Sequence, residues 1–270
     1  MGIKASPSLL GIAMTSFRLK LWATWITLLL LLGGMLAGLG LDFGLIGEKL
    51  PFLLGLRLSP DGFLQGVMLT LFVTAVSMVI ALMVAMVTAL GRISDNPVLC
   101  GIATFYASFF RGTPLLVQVL LIYLALPQFG IILSSLVSGI LALSLNYAAY
   151  LAETIRTGIF AVPKGQREAA LSLGLSRHII AWKIIAPQAM RIIIPPAGAQ
   201  FVSMLKDSSL VSVMGLWELN FLAQSYGRST YHYMEMLLTA AVIYWVLSIA
   251  FELVQYRLER RFGRSDTVHS

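Results

Sequence analysis

Long apolar runs, each broken by a short polar or Gly/Pro-containing stretch, set the pattern of this chain. Six of them, at about 21–40, 63–90, 112–128, 131–157, 189–210 and 236–256, reach or approach the length that spans a bilayer. A helix needs roughly 20 residues to cross about 30 Å of hydrocarbon. A membrane strand would instead alternate polar and apolar positions over about ten residues. These runs are longer and apolar on all sides, so the pattern predicts an all-α membrane protein of about six transmembrane helices. The stretch from Pro97 to Phe110 stands apart and reads as a helix lying along the interface ahead of the third span. Arg111-Gly112-Thr113-Pro114 then reads as the start of that span, with Thr113 as cap and Pro114 at the first helical position.

Composition sharpens this picture. Of 270 residues, 58% are hydrophobic and only 11% charged, where soluble domains carry about a quarter. The opening stretch lacks a short apolar core followed by a small-residue cleavage site, so the first run is expected to stay as an anchor. Basic residues set the direction. With the N-terminus inside, the cytoplasmic segments hold 15 of the 19 Lys and Arg, and Lys49, Arg57, Lys206 and Arg228 stay outside. Both termini are then cytoplasmic. Orientation and contact with the lipid bilayer account for the net charge of +7 without nucleic acid.

Several chemistries are excluded as expectations. The single cysteine, Cys100, rules out a disulfide framework and leaves no pair for a metal. There is no Gly-x-x-x-x-Gly-Lys-Ser/Thr loop, no His-Glu-x-x-His and no Gly-x-Ser-x-Gly, and no hydrophilic block has room for a catalytic domain. The chain is therefore not expected to be an enzyme, and no cofactor or metal is assigned to it.

Residues 160–187 form a polar segment between the fourth and fifth spans. Pro163 precedes a run of helix formers that closes at Gly174, a residue suited to a left-handed cap. Ser176 can cap a second helix, which Pro187 is expected to end. Neither helix is long enough to stand alone in water, so both must pack on something. Two readings follow: an interfacial hairpin anchored by Trp182, or a docking surface for a cytosolic partner, with small Ala169 and Ala170 allowing close approach and Glu168 offering charge.

Here the residues carry a resemblance. Glu168-Ala169-Ala170, Gly174, Ile184 and Pro187, at their spacing, resemble the EAA loop of ABC importer permeases; Ala186 stands where that pattern usually has leucine. Four further strings, in order, are similar to permeases for polar amino acids or opines: "LTLFVTAVSMVIALMVAMVTALGR", "SFFRGTPLLVQVLLIY", "LSLNYAAYLAETIRTGIFAVPKGQ" and "MLKDSSLVSVMGLWEL". The resemblance implies a type I ABC importer in a prokaryotic inner membrane. It divides the chain into a cytoplasmic segment 1–20, an extra helix 21–40, a five-helix permease core 62–258 with its coupling loop 160–187, and a basic tail 259–270. A second permease subunit, identical or related, two ATPase subunits that bind ATP and Mg2+, and an extracytoplasmic amino-acid-binding protein are the implied partners. Arg167, Glu168, Ala169, Ala170, Gly174, Ser176, His178 and Pro187 are the implied ATPase-coupling residues.

Polar residues at membrane depth are functional candidates. Asn146, Tyr147 and Tyr150 of the fourth span can hydrogen-bond an amino acid or hold neighbouring helices together. Gln118 on the third span is a similar case. Lys206, Asp207 and Ser208 line the outer half of the pathway or, for the charged pair, snorkel to the surface. Glu153 and Arg156, three residues apart, can pair within their helix, as structural support or as an inner gate. Arg111 reads as a lipid contact, a helix cap or a cavity residue. From the residues alone, a secondary transporter or channel working without ATP remains the alternative. It leaves the capped helices of 160–187 without a task, and no internal repeat supports it.

Overall fold

The computed structural model describes residues 7–57, 59 and 63–262. Residues 1–6 of the expected N-terminal segment, residue 62 at the start of the expected core, and 263–270 of the basic tail lie outside them. The described residues are helical apart from short connections, with no strand among them. The chain divides into two compact units, residues 1–46 and 47–270.

The first unit is dominated by α1 (Pro7–Gly38), whose residues from Phe17 to Gly38 are long and apolar enough to cross a membrane. Thr24 and Thr27 turn their hydroxyls back onto the carbonyls of Lys20 and Ala23, so neither presents an unpaired polar group to lipid.

The second unit holds the remaining helices: the end of α2 (Phe43–Leu53), α3 (Gly66–Ile93), α4 (Pro97–Gly112), α5 (Leu115–Leu120), α6 (Ser135–Ala161), α7 (Lys164–Ser172), α8 (Arg177–Ile179), α9 (Ala186–Asp207), α10 (Leu219–Thr230) and α11 (Tyr233–Phe262). Its centre is the α3–α6 pair, the most extensive helix contact in the unit. Along α3, Thr70, Thr74, Ser77, Ala81, Ala85 and Ala89 are fully buried at helical spacing, and α6 answers with Ala142, Ala148, Ala149 and Ala152. Lipid offers a Leu-rich face no disadvantage over burial, so helices in a bilayer associate through small residues that let backbones approach. Hydroxyls add bonds across the seam: Ser144 donates to the Ser77 carbonyl at 3.2 Å.

Among the described residues, four helices are long and apolar enough to span, and a fifth crossing arises if α4 is joined to Leu115–Phe129, from which it is bent by 105°. The interfacial reading of Pro97–Phe110 therefore meets a distinct helix, with Asn96 capping the amides of Val98 and Leu99. The expected cap at Thr113 is corrected. Its hydroxyl donates to the Phe109 carbonyl at 2.9 Å and accepts from Gln118 at 2.7 Å, closing the corner from within, and α5 begins at Leu115 rather than at Pro114. Beyond α5 the chain widens into a π segment (Leu121–Ala125) and tightens into a 3-10 turn (Leu126–Phe129).

The fifth expected crossing, 189–210, falls on α9. It has 22 residues but carries Arg191, Lys206 and Asp207 and is not among the helices apolar enough to span by composition. It packs beside α6 and α11 instead of facing lipid on all sides. At Gly158 the α6 backbone comes so close to α9 that a Cβ would overlap Ile193.

Candidate functional site

Two places in the second unit gather the residues singled out above. One is a cleft of about 500 Å3 bounded by the α4–α5 corner, α6 and α9. Arg111 to Leu115 form one wall, Asn146, Tyr147 and Tyr150 of α6 another, and Gln200, Ser203 and Asp207 of α9 the third. On α9 the spacing of 200, 203 and 207 puts those three on one stripe.

Within the cleft, Tyr147 donates to Asp207 at 2.7 Å, bridging α6 and α9. The Arg111 guanidinium lies over the Tyr150 ring, 5.5 Å from its centroid, a favourable contact for a cation on a π face. Gln200 donates to the Thr154 hydroxyl at 2.9 Å. The lining thus offers a cation on one wall, a carboxylate on another, and amides and hydroxyls between them.

Gln118 sits behind this wall rather than in it. It is buried, and its amide donates to the Phe110 carbonyl, the Thr113 carbonyl and the Thr113 hydroxyl, while its own carbonyl accepts from Asn146. Asn146 does both jobs, lining the cleft and bonding the Phe110 carbonyl at 3.1 Å. Lys206 is exposed and is not part of the lining. Ser208 is fully buried and returns its hydroxyl to the Leu205 carbonyl at 2.7 Å. The adjacent residues 206, 207 and 208 diverge because successive helical positions turn by about 100°.

Beside the cleft, Glu153 collects three guanidinium groups. Arg156 donates through Nε at 3.2 Å and Nη2 at 2.6 Å to one carboxylate oxygen, while Arg92 and, at 3.3 Å, Arg111 meet the other. The pair within α6 was readable from spacing; the partners from α3 and α4 were not. Arg111 therefore joins the cleft lining to this cluster.

The second place is the elbow formed by α7 and α8. Gly174 adopts φ +76°, the left-handed conformation that glycine enters without steric cost. Leu175 N–H reaches the Ala170 carbonyl and Gly174 N–H the Leu171 carbonyl, the paired bonds of a Schellman cap. Ser176 caps α8 by accepting from Ile179 N–H. Ala170 is buried in the core cluster that also holds Ile180 and Ile185, whereas Arg167, Glu168, Ala169, Gly174, Ser176 and His178 are exposed. His178 lies beside Trp182, with ring centroids 6.3 Å apart.

The expected stop at Pro187 is a correction. α8 continues through a π segment (Ile180–Ile185) straight into α9, so helical structure is unbroken from Arg177 to Asp207. Proline removes one donor and needs room behind it; the wider π turn supplies that room. Gln188 then donates its side-chain amide to the Ile184 carbonyl at 2.8 Å.

A third group escaped the sequence reading. Glu218 is fully buried, caps α10 through the amides of Asn220 and Phe221, and accepts from Tyr244 of α11 at 2.8 Å. Leu219 N–H bonds Thr70 of α3 beside it. Burial pushes its carboxyl up to about 7 despite these donors. An acidic residue directly before an amphipathic helix was the available signal.

Fold and cleft define a polytopic helical membrane protein with a structured polar elbow between two of its long helices. Residues 78–264 match the family described as binding-protein-dependent transport system inner membrane component, and the chain belongs to that family. It is 36% identical over 229 residues to the arginine transport system permease protein ArtQ of Bacillus subtilis (strain 168), covering 84% of this chain and 100% of that protein. The L-cystine transport system permease protein TcyB of the same organism is 38% identical over 200 residues, covering 74% and 86%. Among solved structures, an amino acid ABC transporter with histidines matches with TM-score 0.75 and 37% identity, over 82% of this chain and 99% of that one. The inward-facing MetNI methionine ABC transporter shares the fold, with TM-score 0.60 at 21% identity over 73% and 92% of the two chains.

Proposed function

We propose that this chain is the permease subunit of a type I ABC importer and carries a polar amino acid across a prokaryotic inner membrane by alternating access. A soluble binding protein delivers the cargo from outside, a second permease subunit completes the pathway, and two ATPase subunits holding ATP and Mg2+ dock on the elbow. Both termini lie in the cytoplasm, with the elbow on the same side.

One observation carries this reading: the exposed elbow runs without a break into α9, and α9 presents Gln200, Ser203 and Asp207 to the cleft. Arg167, Glu168, Ala169, Gly174, Ser176 and His178 form the docking face, and Ala170 ties it to the helices above. Pro187 sits where the rod leaves the elbow. When the ATPase pair closes on ATP, the elbow is displaced and α9 carries that displacement to the cleft as a rigid-body change.

The cleft suits a dipolar cargo. Arg111 is the partner for a carboxylate, since both oxygens of Glu153 already hold Arg92 and Arg156 and Arg111 makes the longest of the contacts. Asp207 is the partner for an ammonium group, with Tyr147, Tyr150 and Asn146 between the two. The relatives' cargoes, arginine and cystine in their names, share those two groups. Glu153 with its arginines joins α3, α4 and α6 and serves as the inner gate.

The test is gentle solubilisation of this chain from its native membrane and identification of what co-purifies. An ATPase subunit that is retained by the wild type and lost when Glu168 and Gly174 are both changed supports the reading. A chain that purifies alone and moves solute in vesicles without ATP replaces it with a secondary transporter.

A further inference from the structure

The final turns of α11 carry a surface that neither the cleft nor the elbow uses. Val242, Val246, Ile249 and Leu253 form one apolar row along this helix, 47%, 56%, 40% and 53% exposed, at the spacing that keeps residues on one face. One turn further the same row reaches Arg257, and a second turn on it reaches Arg260 and Arg261, all exposed. The opposite face is turned inward. Ser248 is buried there, and Gln255 donates both to the Pro195 carbonyl of α9 at 3.1 Å and to Glu259 at 2.9 Å. The carboxylate of Glu259 is thus held on the protein side while the guanidinium groups stay on the outer side. Glu252 is exposed on the flank, roughly 140° around the helix from Arg257. Arg260 lies over the exposed Tyr256 ring at 5.8 Å. Among the described residues, none of the ion pairs involves Arg257, Arg260 or Arg261.

We propose that this face binds the headgroup phosphates of anionic phospholipids. An apolar row on a spanning helix faces hydrocarbon, so a basic group one turn beyond it, about 5 Å along the axis, enters the phosphate layer. Guanidinium groups match phosphate oxygens in a bidentate fork, and clustered arginines beside a span favour anionic over zwitterionic lipid. Because Gln255 ties the same turns to Pro195, the lipid holds α11 where it braces α9.

Native mass spectrometry of the full-length chain, released from bilayers of mixed phosphatidylglycerol and phosphatidylcholine, tests this by counting retained lipids. The wild type is expected to retain phosphatidylglycerol with a preference of about tenfold, lost in the Arg257→Gln/Arg260→Gln/Arg261→Gln variant and kept in Arg228→Gln. In the wild type alone, retention should also fall as salt is raised, because salt screens exposed charges; this arm does not depend on the variant folding. Equal retention of both lipids by the wild type, a preference unchanged in the triple variant, or indifference to salt each overturns the proposal. So does a triple variant that keeps its lipid and loses a co-purifying soluble protein, which makes the face a protein dock.

Discussion

Tyr147 on α6 donates a hydrogen bond of 2.7 Å to Asp207 on α9, joining two helices across 60 residues of sequence. The contact is the cleft's only direct side-chain link between those two walls besides Gln200–Thr154 among the described residues. Replacing Tyr147 by Phe keeps the ring and removes the donor. Hydrogen bonds to charged groups contribute about 1.5–3 kcal/mol, so the variant is expected to lose stability of that order in thermal or denaturant unfolding. An unchanged midpoint would show that the bond does not tie the walls together.

Glu153 is the only carboxylate among three arginines, and removing it leaves like charges facing one another. It is one quarter exposed, so solvent screening reduces the effect below that of a fully buried pair. Glu153→Gln is expected to destabilise by about 1–2 kcal/mol, and combining it with Arg92→Gln should recover part of the loss. A double-mutant cycle measures this; coupling energy near zero contradicts the cluster as a unit.

Gly158 allows α6 to approach Ile193 of α9. Gly158→Ala should lower the unfolding midpoint through overpacking, by about 1–3 kcal/mol. Ile193→Ala removes both the Cγ1 and the Cδ1 that the new Cβ would overlap, so the double variant should lose less than the sum of the two single losses. Additive losses would place the strain elsewhere.

How much of this was legible in the sequence depends on the range of the interaction. The long helices were readable because lipid contact makes every face apolar, and the Gly174 cap because a left-handed residue is a local requirement. Pro187 misled for the same reason: the rule that proline ends a helix is local, whereas the π turn before it begins and ends on Ile180 and Ile185, both buried in the core. Arg156 was found as a partner of Glu153 because it lies three residues away; Arg92 and Arg111 lie 61 and 42 residues away and left no local trace. Gln118 looked like a pathway residue because a buried amide at membrane depth does not reveal which side it faces. Among the neighbours Lys206, Asp207 and Ser208, only the fold singles out Asp207 for the cleft.

Glu218 makes stability depend on pH in a defined direction. Its carboxyl is raised from 4.5 to about 7 by burial, so the folded chain holds that proton more tightly than the unfolded one. The contribution is fully present below about pH 4.5 and is lost as pH rises through about 7. Glu218→Gln removes this dependence. Unfolding midpoints compared between pH 5 and 8 should fall more steeply in the wild type than in the variant; parallel curves would refute the assignment.

In the proposed mechanism the elbow drives the cleft through the continuous helix from Arg177 to Asp207. Gly174→Val forces a β-branched residue into φ +76°, which opposes the cap and tilts α7 against α8. The decisive experiment is ATP-dependent uptake of a labelled amino acid into proteoliposomes, with ATP hydrolysis followed in the same vesicles. The variant is expected to insert normally but to lose uptake by at least about tenfold, with hydrolysis either uncoupled from it or lost. Uptake that is unimpaired in the variant, or that proceeds in the wild type without ATP, would contradict that mechanism.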